Sequence, residues 1–180
     1  LTCMFLIKNN KTNITLSGMM GSGKSVVGRR LAKKIDFVFF DTDTLIEKKA
    51  KKSINEIFED HGEKYFRDLE EEIIIDVLDK KNSIISLGGG AVSNKNIRNV
   101  IIKNSFNIYL KVTIDTLVNR LKNSKNRPLL FKKDLNLILI DLINKRKKFY
   151  NKADLIVENK ISVKSTVETI INKLSYDKKN

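Results

Sequence analysis

The run Gly18-Met19-Met20-Gly21-Ser22-Gly23-Lys24-Ser25 has the spacing G-x-x-x-x-G-K-[ST]. In that pattern the glycines let consecutive backbone N–H groups turn toward phosphate oxygens, and the helix that follows adds the positive end of its dipole. Gly21, Ser22, Gly23, Lys24 and Ser25, with Val26 completing the segment, read as contacts to ATP. Lys24 reaches the β- and γ-phosphates, and the Ser25 hydroxyl ligates Mg²⁺. Asp41-Thr42-Asp43 adds two carboxylates two residues apart, and two readings stand. One carboxylate organises Mg²⁺ through water while the other accepts a proton from a hydroxyl nucleophile, or the segment is a helix N-cap, for which Asp and Thr are both favoured. Gly88-Gly89-Gly90 offers backbone N–H groups with no side chain to block a ligand, or is a flexible turn. Arg67 and Arg146 are two of only seven arginines; a guanidinium fork suits a planar carboxylate, and a surface ion pair is the plainer alternative. Arg127, beside the single proline Pro128, and Arg120 can cover nucleotide phosphates in cis, or be exposed charges. His61 and Cys3 are each alone in the chain and build no metal site.

The elements that must position these groups alternate between strand-like and helix-like periods, with no proline-rich linker, repeat or low-complexity block. Strands are predicted at 13–17, 37–40, 84–87, 106–110 and 154–157, and helices at 24–34, 63–79, 94–102, 113–122, 133–150 and 163–175. A further helix starts at Ser53-Ile54-Asn55-Glu56, a capping box in which hydroxyl and carboxylate satisfy free N–H groups, and Gly62 ends it. Five strands separated by helices imply a parallel sheet with right-handed crossovers, flanked by helices in three α/β/α layers. Both Asp41 and Asp43 then lie at the carboxyl end of a strand, where ligands of open α/β sheets bind.

The 180 residues fit one domain, and a hydrophobic share of 41% supplies a core. Unbroken apolar runs are short, as in Leu137–Ile140, whereas a membrane-spanning helix needs about 20. One cysteine excludes an internal disulfide, no basic-apolar-small segment opens the sequence, and a cytoplasmic setting is expected. Thirty-five Lys and Arg against 21 Asp and Glu give a net charge of +14. The lysines are spread in short runs, no Trp is present and aromatics are 7%, so solvated faces rather than a nucleic-acid partner are expected.

Taken in order, the phosphate loop, D-x-D, Ser53-Ile54-Asn55-Glu56-Ile57-Phe58, Gly62-Glu63-Lys64-Tyr65-Phe66-Arg67, Gly88-Gly89-Gly90-Ala91-Val92, Arg127-Pro128-Leu129-Leu130 and R-x-x-x-Y at Arg146 resemble the shikimate kinase family over about residues 13–175. The resemblance implies a nucleoside-monophosphate-kinase-like fold, one domain over 1–180 with a substrate-binding segment near 42–72 and a lid near 122–134. It implies Mg²⁺- and ATP-dependent phosphorylation of the 3-hydroxyl of shikimate to shikimate 3-phosphate, a step of chorismate and aromatic amino-acid biosynthesis. A cytoplasmic monomer with no membrane or nucleic-acid partner follows from it. By the same resemblance Asp43 binds shikimate hydroxyls and assists deprotonation, Arg67 and Arg146 clamp the carboxylate, and Gly89 and Gly90 meet the substrate through backbone. Lys24 and Arg127 act on the γ-phosphate, Arg120 lies against adenine, and Asp41 joins Ser25 at Mg²⁺ through water. Glu70 orients Arg67 through an i,i+3 pair. Two departures stand out: Val26 replaces the usual Thr, and the lid lacks the Gly often found there. A gluconate-type kinase would lack the triple glycine and F-R elements together. A catalytically silent binding module would have lost Lys24, Asp43 or an arginine, and all are present.

Overall fold

The strand β1 (Asn13–Ser17) is buried at all five positions, as a strand covered on both faces must be. It is the centre of a five-stranded sheet ordered β2-β3-β1-β4-β5, in which β2 is Val38–Asp41, β3 Ser83–Ser86, β4 Ser105–Lys111 and β5 Leu155–Glu158. The computed structural model describes residues 11–122, 134–159 and 162–176. Among these, the helices are α1 (Lys24–Ile35), α2 (Thr42–Ala50), α3 (Ile54–Leu78), α4 (Lys95–Asn104), α5 (Ile114–Lys122), α6 (Leu135–Tyr150) and α7 (Val163–Tyr176). Every neighbouring strand pair is parallel, so every connection is a crossover long enough to carry a helix.

The period of two along the strands divides the core into layers. On one face Ile14, Leu16, Ile84, Phe106, Ile108 and Leu110 pack on Val27, Leu31 and Ile35 of α1 and on Val167, Ile170 and Leu174 of α7. On the other, Ile85 meets Ile74, Val77 and Leu78 of α3 and Ile97 and Ile101 of α4. Each fully buried aliphatic side chain here contributes roughly 1.5–3 kcal/mol. Buried Asn13 is satisfied: its Nδ2 donates to the carbonyls of Leu78 at 3.0 Å and Lys80 at 2.5 Å, and its Oδ1 accepts from Ser83 N at 3.2 Å. That knot joins the end of α3 to the start of β3.

The three-layer parallel architecture is the expected one, and the differences are local. Strands β2, β3 and β5 are each displaced by one residue from the expected bounds, because backbone pairing rather than the apolar run sets where a strand starts. Helix α2 is absent from the helices expected above, although the N-cap alternative for Asp41-Thr42-Asp43 points to its start. It buries only Thr42 and Ile46, too few apolar positions to reveal a helical period. The glycine turn at Gly62 is a kink rather than a stop: with φ 78° and ψ 176° it bends α3, which continues directly because Phe66, Leu69 and Ile73 bury the next turns against Ile46 and Ile57. The lid expected near 122–134, with Arg127 and Pro128, lies outside the described residues except at its two ends. Among the described residues no helix is long and apolar enough to cross a membrane.

Candidate active site

In the sheet Leu16, Ser86 and Asp41 stand in register on β1, β3 and β2, so the segments that leave these strands open on one edge. The first is the phosphate loop. Its glycines Gly18, Gly21 and Gly23 have φ of 146°, 76° and 89°, and α1 begins at once with Lys24. Lys24 is buried and curls back over the loop, its Nζ donating to the carbonyls of Gly18 and Met19 at 3.0 Å each. Arg120, from α5, donates its Nη1 to the Gly21 carbonyl at 3.1 Å. Val26 faces outward and is 54% exposed.

The second segment follows β2. Asp41 is both the N-cap of α2, accepting from Thr44 N at 3.4 Å, and the partner of Ser25, whose Oγ donates to Asp41 Oδ2 at 2.5 Å. The capping and the metal-organising readings of this Asp are thus compatible in one rotamer. A hydroxyl and a carboxylate beside a phosphate loop are hard oxygen donors of the kind Mg²⁺ takes together with substrate phosphates. Thr42, fully buried, accepts from Gly88 N at 2.9 Å and ties the start of α2 to the end of β3.

The third segment is the triple glycine, and its lack of side chains is a packing requirement. A Cβ on Gly88 would sit 2.6 Å from Glu70 Oε1 and 2.8 Å from Asp43 Oδ1, and one on Gly90 would sit 2.8 Å from Arg67 Nη1. Beside Gly89 the corresponding point is 3.8 Å from Arg146 Nη1 and 3.3 Å from Met20 N of the phosphate loop. The glycines therefore form the floor on which Asp43, Glu70, Arg67 and Arg146 converge, next to the loop itself.

Charge is held in place by specific partners. Arg67 Nη1 donates to Glu70 Oε2 at 2.6 Å, the i,i+3 pair expected from the sequence, while its Nε and Nη2 donate to Glu63 Oε1 at 3.3 Å. Burial pushes the Glu70 carboxyl above its ordinary value and Asp43 adds to this, against the opposing pull of Arg67 and Arg146. One turn beyond Arg146, Tyr150 donates its hydroxyl to the Gly89 carbonyl at 2.6 Å and stacks on Tyr109 with ring centroids 4.8 Å apart. Its phenol is pushed up to about 12 by burial, so it remains a donor at any working pH.

The structure thus brings Gly21, Ser22, Gly23, Lys24, Ser25, Asp41, Asp43, Arg67, Gly89, Gly90, Arg120 and Arg146 to one sheet edge, with Val26 on the outer side of α1. Arg127 falls outside the described residues. Sequence reasoning missed Thr42, Tyr109 and Asn159, whose roles depend on contacts across the sheet; the D-T-D setting of Thr42 was the only available signal. Chemically, the arrangement joins a phosphate cradle to a pocket floor with two guanidiniums and a carboxylate, suited to a small hydroxylated acid.

Comparison with known proteins agrees with this geometry. The family model described as shikimate kinase matches residues 20–175. A shikimate kinase of Rippkaea orientalis is 43% identical over 162 residues, covering 90% of this chain and 85% of that protein. One from Sulfurihydrogenibium sp. is 40% identical over 163 residues, covering 90% and 97%. The solved structure of a shikimate kinase from Acinetobacter baumannii in complex with shikimate superposes with a TM-score of 0.92 at 29% identity, covering 99% of both chains. By the family model over residues 20–175 and by relatives at this identity and coverage, the chain belongs to the shikimate kinase family.

Proposed function

We propose that this chain transfers the γ-phosphoryl group of ATP to the 3-hydroxyl of shikimate, and that the residues gathered at the sheet edge divide the work as follows. The observation that carries the assignment is the placing of Arg67 and Arg146 beside neighbouring glycines, Gly90 and Gly89, with Asp43 and the phosphate loop abutting the same three-residue floor. The two guanidiniums hold the acceptor's carboxylate, and the backbone of Gly89 and Gly90 approaches its ring. Asp43 takes the proton from the 3-hydroxyl as that oxygen forms its bond to the γ-phosphorus. The bond from phosphorus to the β,γ-bridging oxygen breaks, and ADP leaves with that electron pair.

The phosphate loop holds the triphosphate through its backbone N–H groups, and Lys24 exchanges its loop carbonyls for phosphate oxygens. Ser25, and Asp41 through water, hold Mg²⁺, which when bound neutralises charge on the phosphate oxygens. Arg127 is assigned to the γ-phosphate and Arg120 to the adenine side by family resemblance. Fixing acceptor and donor in line supplies the positioning contribution, and the cations supply the electrostatic one. The reading includes one domain over residues 1–180, acting as a cytoplasmic monomer without nucleic-acid or membrane partners. Among the described residues most Lys sit on solvated surface, as with Lys64, whose pair with Asp68 is exposed at both ends.

The test is ADP release with Mg·ATP and, in parallel, shikimate, gluconate and nucleoside monophosphates. Turnover dependent on shikimate alone is expected. Release stimulated by gluconate instead, or by no acceptor while ATP still binds, would overturn the assignment in favour of another small-acid kinase or a silent binding module.

A further inference from the structure

Behind the phosphate loop lies a buried amide that none of the roles above uses. Asn159 follows β5 and is 3% exposed. Its backbone N donates to the Lys111 carbonyl at 2.9 Å, extending the β4–β5 pairing by one bond. Its side chain then turns across the sheet edge: Nδ2 donates to the Ser22 carbonyl at 2.7 Å, and Oδ1 accepts from Thr166 Oγ1 of α7 at 2.8 Å.

The chemistry of these partners fixes the amide's orientation. A carbonyl only accepts, so the atom 2.7 Å from Ser22 O must be the NH₂ end. Oδ1 is thereby turned to Thr166, whose single hydroxyl proton is shared between Oδ1 at 2.8 Å and the Ser162 carbonyl at 2.9 Å. The Ser22–Gly23 peptide is planar and trans, so its C=O and N–H point in opposite directions. Pinning the Ser22 oxygen from behind therefore directs the Gly23 N–H forward. Gly23 itself has φ 89°, and a Cβ there would meet Asn159 Nδ2 at 2.8 Å, so the glycine is needed both for its backbone conformation and for the space the amide fills.

We infer that Asn159 is a positioning residue for nucleotide binding, which sets the direction of the Gly23 N–H and so the phosphate-binding geometry of the loop, with Thr166 holding the amide. This rests on the phosphate loop's taking ATP, as proposed above. It is independent of which acceptor is phosphorylated.

The experiment compares the wild type with Asn159→Asp and Thr166→Val. Asn159→Asp keeps the shape but replaces the donor with an acceptor facing the Ser22 carbonyl. Titration with Mg·ATP in the absence of acceptor should show affinity lowered about 10- to 100-fold in Asn159→Asp and about 3- to 10-fold in Thr166→Val. Shikimate affinity should stay within about twofold in both variants, and the amide resonance of Gly23 should shift in each. Unchanged ATP affinity in Thr166→Val and Asn159→Asp would overturn the inference. So would an equal loss of ATP and shikimate affinity, which marks a role in folding alone. If Asn159→Asp does not fold, Thr166→Val decides by the same readings, because it leaves the amide in place. Wild-type protein that binds ATP but does not phosphorylate shikimate would defeat the proposed acceptor and leave this inference standing.

Discussion

The two halves of the site are built differently. The half proposed to bind phosphate comes from one short segment, Gly18 to Ser25, which offers backbone N–H groups and a lysine buried in the loop's own fold. The acceptor half is assembled from the start of α2, the middle of α3, the end of β3 and the last turns of α6, and its groups are charged side chains held by one another. A local turn needs only its own sequence to form. A floor of three glycines under Asp43, Glu70, Arg67 and Arg146 needs four elements to arrive together, and each side chain is only as well placed as its neighbours.

This contrast predicts separable kinetic effects. The largest belongs to Asp43→Asn, which removes the proposed proton acceptor while keeping the shape: kcat should fall about 10²- to 10⁴-fold with the KM for ATP nearly unchanged. A comparable rise in the KM for ATP would show that the halves are not independent. Next is Arg67→Ala. Its side chain is about one-third exposed, and losing a charge-assisted contact should raise the KM for shikimate about 10- to 100-fold without altering that for ATP, measured by steady-state kinetics.

A smaller effect concerns Glu70 and pH. Burial raises its carboxyl above the ordinary 4.5, so the folded state keeps the proton longer than the unfolded chain. The stabilisation this gives is fully present below the unfolded value and is lost as pH rises through the raised folded one. The melting midpoint of the wild type should therefore fall relative to that of Glu70→Gln as pH rises from about 4 to about 7. An offset independent of pH would mean that the ion pair with Arg67 cancels the effect of burial, and one that moves the other way with pH would mean that it outweighs burial. The smallest effect should come from Val26→Thr: the position is 54% exposed, and a surface hydroxyl there should change the KM for ATP by no more than about twofold.

The legibility of the two halves in the sequence follows the same division. The phosphate loop was readable because its spacing is contiguous and its chemistry is carried by backbone. Arg67 and Glu70 could be paired in advance because helical geometry puts i and i+3 on one face. The course of helix α2 was not legible because it buries so little, although the cap reading of Asp41 marks its start; Asp41 could not be assigned between cap and metal organiser because it serves the cap while also holding Ser25. Nothing in the sequence joined Thr42 to Gly88 across 46 positions, Tyr150 to Gly89 across 61, or Asn159 to Ser22 across 137.

By itself the sequence determined the order of strands and helices along the chain, the phosphate loop and the residue types able to bind an acidic alcohol, since these depend on short-range periodicity and on chemistry intrinsic to each side chain. Only the tertiary structure decided that Gly88 and Gly90 are the floor under Asp43 and Arg67, that Tyr150 anchors that floor, and that Asn159 backs the loop. Those facts arise from parallel strands that bring distant segments to one edge, and the order in which the strands pair is set by the packing of the whole core.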